Sequence, residues 1–130
     1  MLSTQLPGLY LRDDEFKGRC VFTTQALSEG DMIELCPAII LSRSDTEKIH
    51  ATGLHDYYFI WDLNEGSSAI ALGYGSLYNH SSSPNAEFET DHSSRMIKII
   101  ASRDIEAHEE ICLDYTSGLK TEHGLWFDPE

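Results

Sequence analysis

Turn-forming residues cut this chain so often that only short elements fit between the cuts. Asp13 to Gly18, Ser28-Glu29-Gly30-Asp31, Asp91-His92-Ser93-Ser94 and Glu106 to Glu110 each read as a turn, because their residues bond to their own backbone or tolerate unusual φ. The pieces between them are apolar, aromatic or β-branched: Leu9–Leu11, Cys20–Phe22, Met32–Leu41, Asp56–Leu63, Ala86–Thr90, Arg95–Ala101 and Ile111–Tyr115. One segment, Ser42 to Gly53, reads as a helix, with Ser44 as cap, Glu47 three residues on and Gly53 as its end. The expected fold is mainly β with one short helix. Strands do not alternate with helices, so a doubly wound nucleotide-binding sheet is excluded, and Gly73-Tyr74-Gly75 is no dinucleotide fingerprint.

The 130 residues suit a single domain, 1–130, with its core at about 8–118 and a tail at 119–130. Leu125-Trp126-Phe127 in that tail are large aromatic and apolar groups, which dock more often than they stay in water. No apolar run is long enough to span a bilayer, and the first residues lack the basic and apolar regions of a signal peptide. The three cysteines, Cys20, Cys36 and Cys112, are scattered and odd in number, so a reducing intracellular compartment, cytoplasmic or nuclear, is expected. The six histidines show no metal-ligand spacing, and no metal is expected. A net charge of −13 disfavours nucleic acid and anionic membrane and favours a basic partner.

Two segments fit none of the generic readings. Leu77 to Asn85 reads LYNHSSSPN, and taken alone it is a surface turn after the apolar run Ala69-Ile70-Ala71-Leu72. His108 to Tyr115 reads HEEICLDY and lies beyond a hairpin that the first segment precedes. Together they resemble the SET-domain protein lysine methyltransferases. That family's N-H-S-x-x-P-N core is matched by Asn79, His80, Ser81, Pro84 and Asn85, and its E-E-[IL]-x-x-x-Y strand by Glu109, Glu110, Ile111 and Tyr115. Its G-x-G-V-F-A segment resembles Gly18 to Thr23, with Cys20 in place of the second glycine. The shortness of the chain is most like the minimal SET proteins of viruses and bacteria.

The resemblance implies a β-clip SET fold with knot-like threading near the C-terminus. It implies S-adenosylmethionine (AdoMet) as cofactor, held by Gly18, Arg19, Cys20, Asn79 and His80, with Trp126 or Phe127 covering the adenine. Tyr115 is implied as the catalytic hydroxyl, and Tyr57, Tyr74 and Tyr78 as walls of a substrate-lysine channel. Methyl transfer from a sulfonium to an amine is an in-line displacement, so it needs positioning more than strong acid or base. An aromatic channel disfavours the charged lysine and leaves the nucleophilic amine. The implied substrate is a basic protein or peptide, whether a histone, a ribosomal protein or a small DNA-binding protein. A homodimer is also allowed. The other reading is a catalytically inactive SET module that binds a basic protein without methylating it.

Overall fold

The longest strand, Met32–Leu41 (β3), organises the molecule, as its apolar content predicts. In the computed structural model, which describes residues 5–54 and 57–114, β3 lies in a seven-stranded sheet. On one side it pairs antiparallel with Ser67–Ala71 (β5), which pairs with Phe59–Asp62 (β4). On the other it pairs with Met96–Ala101 (β8), which forms a hairpin with Ala86–Asp91 (β7). Two short strands, Asn79–His80 (β6) and Cys112–Leu113 (β9), complete the sheet in the order β4-β5-β3-β8-β7-β9-β6. Leu9–Asp14 (β1) and Gly18–Thr23 (β2) form a separate antiparallel ribbon around the predicted acidic turn.

The single helix, Arg43–His50 (α1), falls in the predicted segment, but its cap differs. Ser42, not Ser44, is extended (φ −67°, ψ 170°), and its Oγ accepts from the Asp45 N–H. Ser44 already lies inside the first turn, where its own backbone is helical. Thr46 faces inward and shares a buried hydrogen bond with Ser68 at 2.7 Å, which seats the helix on β5. The aromatic stretch after Asp56 yields a shorter strand than the sequence suggests. Tyr57 is in a turn, its N–H donating to the Leu54 carbonyl, and the strand begins at Phe59.

The core is filled from every strand of the main sheet's centre and from β2: Val21, Ile33, Ile97, Ile99, Ile111 and Leu113 are almost wholly buried. Each such aliphatic side chain contributes about 1.5–3 kcal/mol by leaving water. Ala69, Ala71, Ala86 and Ala101 lie among them, and their small side chains let the large ones interlock. Backbone contacts tie the β1–β2 ribbon and the chain just after it to this core. The Ile111 N–H donates to the Val21 carbonyl at 2.8 Å, and Leu27 and Ile105 exchange both backbone bonds. The ribbon is thereby held beside β9, which is where the sequence motifs converge. Among the described residues no helix is long and apolar enough to cross a membrane.

Candidate functional site

The segment LYNHSSSPN leaves β5 through a single 3-10 turn, Gly75–Leu77, and becomes β6 at Asn79–His80. β6 runs parallel to β9, with Asn79 opposite Cys112 and His80 opposite Leu113. The next residue continues the pairing, its Ser81 N–H donating to the Leu113 carbonyl. The chain then turns: the Ser83 N–H donates to Ser81 Oγ, a serine turn that carries the chain toward Pro84. Asn85 closes the loop. It is 3% exposed, and its amide donates to the Glu110 carbonyl at 2.8 Å and accepts from the Cys112 N–H at 2.8 Å. The loop is thus fixed to β9 at both ends, with Asn79 and His80 half-exposed on the strand that leads into it.

Asn79 is the centre of the site. Its amide nitrogen is within reach of Glu110 Oε2 at 2.8 Å, Cys20 Sγ at 3.3 Å and the Arg19 carbonyl at 3.3 Å. Among the described residues its amide oxygen accepts no hydrogen bond, which leaves that acceptor available. Glu110 spends its second oxygen on Lys17 Nζ at 2.8 Å. Burial works against the charge of Glu110, but the Asn79 amide and the Lys17 ammonium outweigh it and hold the carboxyl below its usual range. The same bond holds the Lys17 ammonium above its usual value. Cys112, beside this carboxylate, has its thiol pushed up to about 12, by burial first and then by the Glu110 charge. Cys20 is raised for the same reasons, so both thiols stay neutral.

The predicted cofactor residues Gly18, Arg19, Cys20, Asn79 and His80 therefore lie on two neighbouring elements, β2 and β6, and the Asn79 side chain bonds directly to Arg19 and Cys20. His80 Nδ1 is 4.0 Å from Asp114 Oδ1, the last described residue of the motif strand. Tyr115 and Trp126 lie outside the described residues. Tyr74 and Tyr78 meet at a buried carboxylate, that of Glu34, through a backbone N–H and a hydroxyl respectively. Tyr57 is exposed at the turn before β4. Sequence reasoning missed Lys17 and left Glu110 as a motif letter without a task. Their adjacency to Gly18 and to the motif strand was the signal available. No group of three or more His, Cys, Asp and Glu side chains that would hold a metal is present among the described residues.

A fit to AdoMet rests on the donor set. The Asn79 amide oxygen, which no described residue uses, and adjacent charges of both signs suit a molecule that carries an adenine and a zwitterionic amino acid end. The SET domain family model matches residues 18–116. A fission yeast protein (Schizosaccharomyces pombe), a histone-lysine N-methyltransferase specific for H3 lysine-37, is 35% identical over 94% of this chain and 78% of its own length. The nematode (Caenorhabditis elegans) histone-lysine N-methyltransferase Suv4-20 is 29% identical over 78% of this chain and 35% of its length. The crystal structure of a Plasmodium falciparum protein described as a histone methyltransferase superposes at a TM-score of 0.69 with 24% identity, covering 89% of this chain and 99% of that one, a likeness of fold. The chain belongs to the SET-domain family of protein-lysine N-methyltransferases.

Proposed function

We propose that this chain transfers a methyl group from AdoMet to the ε-amine of a lysine in a basic protein segment, a histone-like tail above all. The observation that carries the reading is Asn79: its amide nitrogen is held by Glu110, Cys20 and Arg19, while no described residue uses its acceptor oxygen. AdoMet supplies an electrophilic methyl on a sulfonium. Asn79 and His80 would hold the adenine-bearing part, and the Lys17–Glu110 pair beside Asn79 would meet the charges of the amino acid end. Tyr115 follows Asp114 directly, and its motif position gives its hydroxyl the task of orienting the lysine amine in line with the methyl. Trp126 is the proposed cover for the adenine. Tyr57 is the proposed outer wall of the lysine channel, where a low-polarity lining keeps the amine neutral. A histone or ribosomal substrate places the reaction in the nucleus or cytoplasm.

A second reading has one observation in its favour. Cys20 occupies the position where the family carries its second glycine, and its Sγ rests against the Asn79 amide. If that sulfur blocks the methionine end, the domain binds a basic peptide without modifying it. Transfer of labelled methyl from AdoMet to a panel of basic proteins separates the readings, with Tyr115→Phe run beside the wild type and AdoMet binding followed by calorimetry. The expected result is transfer by the wild type that falls about a hundredfold or more in Tyr115→Phe, with cofactor affinity kept. Transfer indifferent to Tyr115 would remove the assigned role. AdoMet binding with no transfer to any basic protein would favour the binding module.

A further inference from the structure

Glu34 is a charged residue in an apolar strand, and only 3% of its surface is exposed. A β-bulge puts it there. The register of β3 against β8 shifts between Met32 and Glu34, so Ile33 and Glu34 are both buried although they are consecutive. Once inside, the carboxylate is fully used by neutral donors. Oε1 accepts the Tyr78 hydroxyl at 2.7 Å, and Oε2 accepts the Tyr74 N–H and the Gln5 amide, each at 3.0 Å. Gly73 completes the enclosure. Its φ of +69° suits glycine, and a Cβ there would collide with Oε2.

These contacts bracket one segment. Tyr74 caps the 3-10 turn, the Leu77 N–H closes that turn on the Tyr74 carbonyl at 2.8 Å, and Tyr78 ends it as the residue directly before Asn79. Tyr78 is 1% exposed, so its ring cannot shift without opening the core. We infer that Glu34 is a positioning residue for AdoMet binding: by holding Tyr74 and Tyr78 at once, it fixes where β6 begins and so where Asn79 and His80 face the cofactor. The inference rests on the reading that Asn79 and His80 bind AdoMet. It differs from a merely stabilising buried bond because both clamped groups lie on the segment that leads into the binding residues.

Glu34→Leu and Tyr78→Phe test it. Leucine fills much of the same space but offers no acceptor, so the Tyr78 hydroxyl and the Tyr74 N–H both lose their partner, whereas phenylalanine removes the hydroxyl alone. Two quantities are read well below each variant's melting temperature: AdoMet Kd by calorimetry, and amide hydrogen exchange across residues 74–80. Thr46→Val serves as a control, since it removes a buried hydrogen bond on the helix side and lowers stability elsewhere. Expected are faster exchange at 74–80 in both clamp variants, an AdoMet Kd raised about tenfold in each, and a double variant no worse than the weaker single one. Thr46→Val should leave both readouts at wild-type values. An unchanged exchange pattern, or faster exchange with Kd within about twofold of wild type, overturns the positioning role. A wild-type protein that takes up no AdoMet overturns the functional reading instead, and the exchange comparison still decides whether Glu34 fixes the segment.

Discussion

The Asn85 amide is used at both ends, donating to the Glu110 carbonyl and accepting from the Cys112 N–H, and the residue is buried. Removing it strands two backbone groups that water reaches poorly, each worth about 1–3 kcal/mol. Asn85→Ala should therefore lower stability by about 2–4 kcal/mol in denaturant titration, with the loss of cofactor affinity following from the disturbed loop. Asn79 carries the same side chain in a half-exposed place, with an acceptor oxygen that no described residue uses. Asn79→Ala should cost no more than about 1 kcal/mol of stability, yet weaken AdoMet binding about tenfold or more. Equal stability losses in the two variants would mean that Asn79 is a structural amide like Asn85. The sequence motif shows both asparagines but not this division of labour, because burial is decided by strands far away in the chain.

Whole elements were legible where a pattern is local. The hairpin of β7 and β8 and the long strand β3 lie where their apolar runs predict, and the turn Asp13 to Gly18 joins β1 to β2. Ser67–Ala71 is a strand in the interior of the sheet, yet it is built mostly of small residues, with Ile70 its one β-branched side chain and no clear alternation. The parallel pairing of β6 with β9 depends on partners distant in sequence, so no local signal announces it. The knot-like threading expected near the C-terminus falls partly on the chain beyond Asp114, which lies outside the described residues. The bulge that buries Glu34 is equally silent in sequence. Between elements, the Lys17–Glu110 pair ties the β1–β2 turn to the motif strand. Glu110 has its folded pKa lowered, so its share of stability is present above the ordinary value of 4.5 and is lost as pH falls through the folded value. Lys17 has its pKa raised, so its share is present below 10.5 and is lost as pH rises through the folded value. Lys17→Ala should move the Glu110 carboxyl midpoint upward in an NMR titration and start acid unfolding at a higher pH. The stability change itself should stay below about 1 kcal/mol, since the Lys17 side chain is 54% exposed. A Glu110 midpoint that stays put would assign its low value to the Asn79 amide alone.

At the scale of the molecule the dominant quantity is charge, −13 over 130 residues. Exposed carboxylates such as Glu87 and Glu89 on β7 contribute to a field that no fold rule requires. A field of that sign draws a basic segment toward the domain and does little to distinguish one lysine from another, which is the task proposed for the lysine channel. Charge patterning therefore speaks to encounter, and the aromatic residues proposed to line that channel speak to selection. The two can be separated by salt, because screening acts over about 10 Å at 0.1 M ionic strength and barely touches contacts inside a channel. Raising ionic strength from about 50 to about 300 mM should raise KM for a lysine-rich peptide about fivefold and leave kcat nearly unchanged. A peptide of the same sequence with every lysine but the target acetylated should show a higher KM at low salt and little further dependence on it. If the two peptides respond alike, the acidic surface serves solubility, and substrate recognition lies wholly within the channel.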